Sequence, residues 1–332
     1  MYIVSNYLLA IFLCFITMLC WGSWANTQKL AEKSWRFELF YWDYVFGIVI
    51  LSLLFAFTLG SFGDEGRSFL SDIKQAKIQN ISNAFLGGII FNAANILIVA
   101  AIAIAGMSVA FPIGIGIALV LGVIINYLAA PQGNATWLFA GVALITLAII
   151  LDAIAYHKKS NQSNKVNNKG ITISLIGGVL MALFYRFVAS SMATNQANPE
   201  SGMLTPYSAV FIFSIGILIS NFLFNTFLMK RPILGTPLTY SQYFKGSYKE
   251  HLTGIIGGVI WCIGMSFSII AAGKAGFAIS YGLGQGATLI AALWGVFIWK
   301  EFKNSSKEVN TLLILMFLLF IVGLGLIIMA GS

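Results

Sequence analysis

The sequence predicts an all-α integral membrane protein whose ten transmembrane helices form two inverted five-helix repeats. Three observations carry this. Of the 332 residues 59% are hydrophobic and only 9% charged, with a mean hydropathy of +0.88, whereas a water-soluble domain carries about 25% charged residues. The apolar residues gather into ten runs of roughly 20, the length that crosses a ~30 Å hydrocarbon core. The second half of the chain aligns on the first without a gap across two of these runs. The composition excludes a soluble enzyme, a nucleic-acid-binding module and a disordered chain. A transmembrane β-barrel would need alternating segments of about 10 residues, and none is present.

The runs are residues 6–25, 40–60, 81–104, 107–129, 135–156, 171–191, 205–228, 252–272, 276–299 and 310–330. The first ends in Trp21 and Trp24 with no small-x-small cleavage site after it, so it reads as a retained span. The second holds Asp43 within Tyr41-Trp42-Asp43-Tyr44, and the third holds Asn92 and Asn95. The fourth is interrupted by Phe111-Pro112-Ile113-Gly114-Ile115-Gly116, and the fifth carries Asp152 near its end. The sixth contains Arg186, and the seventh contains Asn221 and Asn225, expected to be wet at its end. The eighth contains Trp261, the ninth Tyr281-Gly282-Leu283-Gly284-Gln285-Gly286 followed by Lys300-Glu301, and the tenth closes the set.

Lys and Arg in short loops set orientation. With ten spans, 14 of the 19 basic residues fall in the odd-to-even connections and 4 (Arg67, Lys74, Lys77 and Lys274) on the other side, with Arg186 inside a span. The odd-to-even connections are therefore expected in the cytoplasm of a bacterial inner (plasma) membrane protein, with both termini outside. The polar segment 157–170, containing Lys158-Lys159-Ser160-Asn161-Gln162, reads as a cytoplasmic linker between halves 1–156 and 171–332.

At an offset of 170 residues, nine of 41 positions over 87–127 are identical, five of them glycines (Gly87, Gly88, Gly106, Gly114 and Gly116). Five spans per half would force the halves into opposite orientations. Inverted repeats let one site face each side of the membrane in turn, and matched interruptions at mid-depth mark such a site. Here the interruptions of the fourth and ninth runs coincide. Their glycines also form small-xxx-small rows that suit close helix packing.

Polar side chains at depth face a cavity or another helix. Asn92 and Asn95 share one helix face, and Gln285 lies in the opposite half. Amides both donate and accept, which suits a neutral polyhydroxylated or amide-rich solute stacked on Trp261 or Tyr281. Each Asn could equally serve as an interhelical bond. Trp21 and Trp24 are expected at the interface. Arg186 lies 15 positions past Ile171, about 22 Å along a helix, where it lines an outer vestibule or snorkels to water. Asp43 and Asp152 are the weak candidates for coupling a proton or sodium ion. Cys14, Cys20 and Cys262 lie in apolar runs, and His157 and His251 fall in polar connections with no partner spaced for a metal. No catalytic constellation, cofactor site or metal cluster is expected.

The stretch from Gly87 to Leu128, with its Asn-containing third span, Gly106-Met107-Ser108 turn and Gly114-Ile115-Gly116, resembles bacterial rhamnose–proton symporters and glucose/ribose porters of the drug/metabolite transporter superfamily. Gly257, Gly258 and Trp261 resemble their eighth span. The ureide permeases are similar more distantly. The resemblance implies cation-coupled transport of a sugar or another small neutral metabolite by alternating access. The rival readings are a ureide or nucleobase permease, an exporter of amphipathic compounds, and a membrane scaffold without turnover. Oligomeric state is not legible.

Overall fold

The computed structural model describes residues 1–31, 35–105, 107–160 and 168–332. Lys33, Gly106, Lys165 and the centre of the 157–170 linker lie outside the described residues. Among the described residues, ten helices are long and apolar enough to cross a membrane. Span 1 is Tyr7–Leu30, span 2 Phe37–Phe57, span 3 Ile78–Ala105, span 4 Pro112–Ala129 and span 5 Ala135–Lys159. Span 6 is Asn168–Ser191, span 7 Pro206–Lys230, span 8 Tyr248–Ala275, span 9 Phe277–Ile298 and span 10 Lys307–Met329. No strand is formed among the described residues beyond one isolated bridge between Met192 and Leu204.

Local chemistry sets several of the boundaries. The Asn6 side chain accepts from Leu9 N, Ser306 accepts from Val309 N, and Ser247 forms a capping box with Glu250, satisfying amides that a helix start leaves orphaned. Span 7 opens on Thr205-Pro206, where proline sits at the first helical turn and its missing N–H costs nothing.

Span 3 packs against spans 6 and 7, and span 8 against spans 1 and 2. Span 4 packs on span 6, spans 5 and 10 pair, and spans 2 and 7 pair. Two crossings are close enough to require glycine. A Cβ on Gly88 would collide with the Phe213 carbonyl and stand 2.9 Å from Ile217 N, and one on Gly258 would collide with the Tyr44 carbonyl and stand 2.9 Å from Ile48 N. Backbones that approach this closely gain the dispersion contacts that hold helices together where no hydrophobic effect operates.

The connections sort to two ends of the bundle. At the basic end Lys29 Nζ pairs with Glu301 at 2.9 Å, Tyr156 donates to Glu301 at 2.7 Å, and Lys158 pairs with Glu308. At the opposite end Arg67 Nε donates to Asp72 at 2.8 Å, Thr205 N donates to the other Asp72 oxygen at 2.8 Å, and Asn134 N donates to Ala330 O at 2.6 Å.

Of the two expected helix interruptions, one is a break. Span 9 runs as Phe277–Gly284, a turn at Gln285-Gly286, Ala287–Leu293 and a π-helical turn Trp294–Ile298. Across the turn the amides shift to tighter partners: Gly286 N to Leu283 O at 2.9 Å and Thr288 N to Gln285 O at 3.2 Å. Span 4 instead belongs to one helix, Met107–Ala129, that passes through Pro112. Pro112 lies near that helix's start and removes a single bond, whereas three glycines in five residues weaken span 9 at its middle.

Candidate transport site

Span 2 brings Tyr41, span 3 brings Asn92 and Asn95, and span 7 brings Ser220 to one buried point. Tyr41 donates to Asn92 Oδ1 at 2.9 Å, and Asn95 Nδ2 donates to Tyr41 Oη at 3.1 Å. Asn92 Nδ2 donates to Ser220 Oγ at 2.9 Å and to Ile217 O at 3.3 Å. Asn92 is 0% exposed and both its amide groups are engaged between helices. The remaining hydrogen-bonding groups of the Asn95 side chain have no other partner among the described residues, so of the two asparagines Asn95 retains the capacity to bind a solute.

Beside this network lies an aromatic core. Trp261 touches Phe91 (ring centroids 4.4 Å), Trp21 (5.9 Å, 15° between planes), Phe213 (6.1 Å, 16°) and Tyr44 (6.4 Å). Trp21 Nε1 donates to Trp261 O at 3.2 Å, and Trp24 lies 4.6 Å from Tyr44. The expectation that Trp21 and Trp24 sit at the interface is therefore corrected. They pack inward because the small or bare positions Gly264 and Gly284 leave room for the Trp21 ring; a Cβ at Gly284 would stand 2.8 Å from Trp21 Cζ3. That contact carries the aromatic core to the break in span 9.

Gln285 occupies the break itself, 8% exposed, and its side-chain amide has no hydrogen bond among the described residues. The Tyr44 hydroxyl and both amide atoms of Asn221 are buried without a partner. Ser52 bonds Ser214 at 2.8 Å, and Asn225 Nδ2 donates to Glu38 O at 2.9 Å. That antiparallel register sets Asn221 at the level of Tyr44. The expectation that Asn221 and Asn225 are wet is corrected: both are 0% exposed, because they lie on the face of span 7 that packs against spans 2 and 3, while Phe222, Leu223 and Phe227 take the outer face. Buried amides without partners are uncommon and expensive in a folded protein, about 1–3 kcal/mol each.

The other expected residues lie elsewhere. Tyr281 is fully buried and donates to Ala118 O at 3.1 Å and Met181 O at 3.2 Å, tying span 9 to spans 4 and 6. Arg186 is half-buried five residues from the end of span 6, with no ion pair among the described residues. Asp152 is in span 5 near the basic end, with Oδ1 unpartnered. Asp43 is almost fully buried; Tyr243 donates to its Oδ1 at 2.6 Å and His251 Nδ1 lies 2.9 Å from the same oxygen. Burial and the Asp43 carboxylate push the Tyr243 phenol above its ordinary range. His251 is thus no loop residue: it lies in the first turn of span 8 and faces span 2. Among the described residues no group of His, Cys, Asp and Glu could hold a metal ion.

The sequence model of the ureide permease family matches residues 40–169 and 158–331. The chain belongs to the ureide permease family. Ureide permease 1 of Arabidopsis thaliana is 25% identical over 391 aligned positions, covering 100% of this chain and 99% of that protein. Ureide permease 2 of the same plant is 23% identical over 402 positions with the same coverage. A Streptococcus pyogenes protein named provisionally for sugar uptake is 23% identical over 210 positions, 61% of this chain and 63% of that protein. The more distant of the expected resemblances is thus the one that spans the whole chain, while the likeness to a sugar porter is partial. As a ureide permease family member the protein is a multi-pass membrane transporter of a small-molecule solute.

Four residues were not among the site candidates offered by the sequence: Tyr44, Asn221, Tyr243 and His251. Asn221 was visible as a polar residue within an apolar run. Tyr243 and His251 become conspicuous only through Asp43, 208 positions before His251, and Tyr44 only because its hydroxyl is buried without a partner.

Proposed function

We propose that the protein is a secondary transporter for a small, neutral, flat solute rich in amide groups, of the ureide or oxo-heterocycle kind. The observation that carries this is a set of groups beside the aromatic core with hydrogen-bonding capacity left over among the described residues: the Asn95 carbonyl, whose NH₂ is held by Tyr41, the Gln285 and Asn221 amides, and the hydroxyl of Tyr44, whose ring meets Trp261 edge-on. A cyclic ureide alternates N–H and C=O along its edge, so a carboxamide side chain meets it at two points. Its plane suits the company of aromatic rings that surrounds Trp261. No charged group stands among these residues, which favours an uncharged solute, since bringing a charge to mid-depth is costly.

The alternating-access part of the proposal rests on halves 1–156 and 171–332, joined by the linker 157–170, acting as inverted repeats. Supporting it, Gly88 on Phe213 and Ile217 corresponds to Gly258 on Tyr44 and Ile48 at offsets of 169 or 170 residues. Phe91 and Trp261, 170 positions apart, touch each other as equivalent residues on a twofold axis would. The excess of Lys and Arg argues that the basic end faces the cytoplasm, with both termini outside. For ion coupling, Asp43 is the better candidate than Asp152, because it is paired across spans 2 and 8 with His251.

A sugar is the second reading. The similarity to the streptococcal protein favours it. Uptake into sealed proteoliposomes separates the two: labelled allantoin and uracil should enter saturably, and labelled glucose and rhamnose should not compete. Saturable sugar uptake without heterocycle uptake would overturn the substrate, and movement of neither would overturn the site.

A further inference from the structure

We infer that the hollow at the end of the bundle opposite the basic face is a second solute site, an antechamber that holds the carboxylate or urea-type carbonyl of a small polar molecule. It has a volume of about 320 Å³; Asn195, Gln196, Ala197, Gly273 and Lys274 line it, together with Thr194 and the apolar side chains of residues 3 and 4. That volume falls within the range of small-molecule sites. Its role as an entry point rests on the transport reading above; its capacity to bind does not.

The lining offers donors. The Thr194 hydroxyl is spent on Glu200 Oε1 at 2.6 Å, a bond that holds the Glu200 carboxyl below its usual range. Asn195 Oδ1 accepts from Ala197 N and Asn198 N, both at 3.1 Å, which turns its acceptor inward and leaves its NH₂ group. The Lys274 ammonium has no ion pair among the described residues, and the residue's contact with Gln132 is through its backbone carbonyl, which accepts from Gln132 Nε2 at 3.5 Å. An amide NH₂ and an ammonium select acceptor oxygens, and a carboxylate most strongly.

The floor of the hollow is Gln196. It is 7% exposed, donates to Ile270 O at 3.4 Å, and lies where a Cβ on Gly273 would stand 2.7 Å from its Cδ. Beneath it Ile270, Ser266, Phe55 and Tyr207 enclose a space with no room for a water molecule. Trp261 lies 12 residues from Gly273 on span 8, about 18 Å along the helix. The hollow and the aromatic core therefore lie along one helix, separated by a closed neck, as an outer antechamber and a central site would be with the outer gate shut.

The test is ligand protection of a lining cysteine. Ala197→Cys, which removes no donor, is reconstituted into sealed proteoliposomes and treated with a membrane-impermeant maleimide, with the unsubstituted protein as the background control. Sodium acetate and allantoin should slow labelling saturably, and glucose should not. Adding Lys274→Gln should raise the half-protecting acetate concentration about fivefold, the weight of one exposed charge contact. Adding Asn95→Ala should leave protection intact. No protection by acetate or allantoin, or protection indifferent to Lys274→Gln, would overturn the inference. Protection without allantoin uptake would sustain the hollow and sink the transport reading, while uptake without protection would do the reverse.

Discussion

Replacing Gly258 by alanine adds one methyl group at the crossing of spans 2 and 8. The added carbon meets backbone, the Tyr44 carbonyl and Ile48 N, which no side-chain rotation can clear. Overpacking of this kind costs about 1–3 kcal/mol, and the upper end applies where both neighbours are main chain. Against it stands the gain of about 1 kcal/mol from exchanging glycine for alanine within a helix. The net expectation is a loss of about 2 kcal/mol. Gly116 provides the opposite case on span 4: a Cβ there meets nothing within 4 Å, so Gly116→Ala keeps the propensity gain and should be neutral or stabilising. Thermal unfolding of the purified protein in detergent, followed by tryptophan fluorescence, reads both. Gly258→Ala should lower the midpoint and Gly116→Ala should not. Equal midpoints, or a larger fall for Gly116→Ala, would refute the helix crossing as the source of stability.

Tyr41→Phe removes one hydroxyl that serves both Asn92 and Asn95, and should cost about 1–3 kcal/mol in the same assay by leaving buried amides unpaired; an unchanged midpoint would show that the network is not formed. Asn95→Ala with Gln285→Ala should abolish saturable allantoin uptake in a protein that still folds, with a smaller fall in midpoint than Tyr41→Phe because Tyr41 keeps its bond to Asn92, and retained uptake would remove both from the site. Glu301 is held below the usual carboxylate range: burial, the largest influence, raises it, but the Tyr156 hydrogen bond and the Lys29 ammonium outweigh that. Its contribution is thus fully present above the ordinary glutamate value of about 4.3 and fades as pH falls through its lower folded value. Glu301→Gln should therefore differ from the parent protein in midpoint at pH 7 and converge with it in acid, and a difference that persists or grows in acid would contradict that ordering. Asp43→Asn and His251→Gln should flatten the pH dependence of uptake in the same way; if neither alters the profile, that pair does not couple the ion.

The ten spans were legible because hydrocarbon imposes a length and a composition that no other environment demands. The boundaries shifted where polar residues extend a helix beyond the lipid, as at Gln79 and Asn80 of span 3 or His251 of span 8. Asn92, Asn95 and Gln285 stood out as amides in apolar surroundings, yet nothing local indicated that Asn92 would be spent on Tyr41 and Ser220 while Gln285 would stay unpaired. That distinction depends on which helices meet. The same holds for Tyr281, whose hydroxyl is consumed by two carbonyls from other spans. Pro112 misled for a different reason: a proline near a helix start reads in sequence like one that breaks the middle.

Span 9 is divided at Gln285-Gly286 into two segments with different loyalties. The upper one is bolted by Tyr281 to spans 4 and 6, and the lower one leans on span 1, where Gly22 leaves no clearance beside Ala287 and Ile290. A rod so jointed can flex at its elbow without unseating either end. Any tilt of span 1 relative to span 4 would be concentrated at Gln285, so the side chain best placed to touch a passenger would also be the one that such a movement swings.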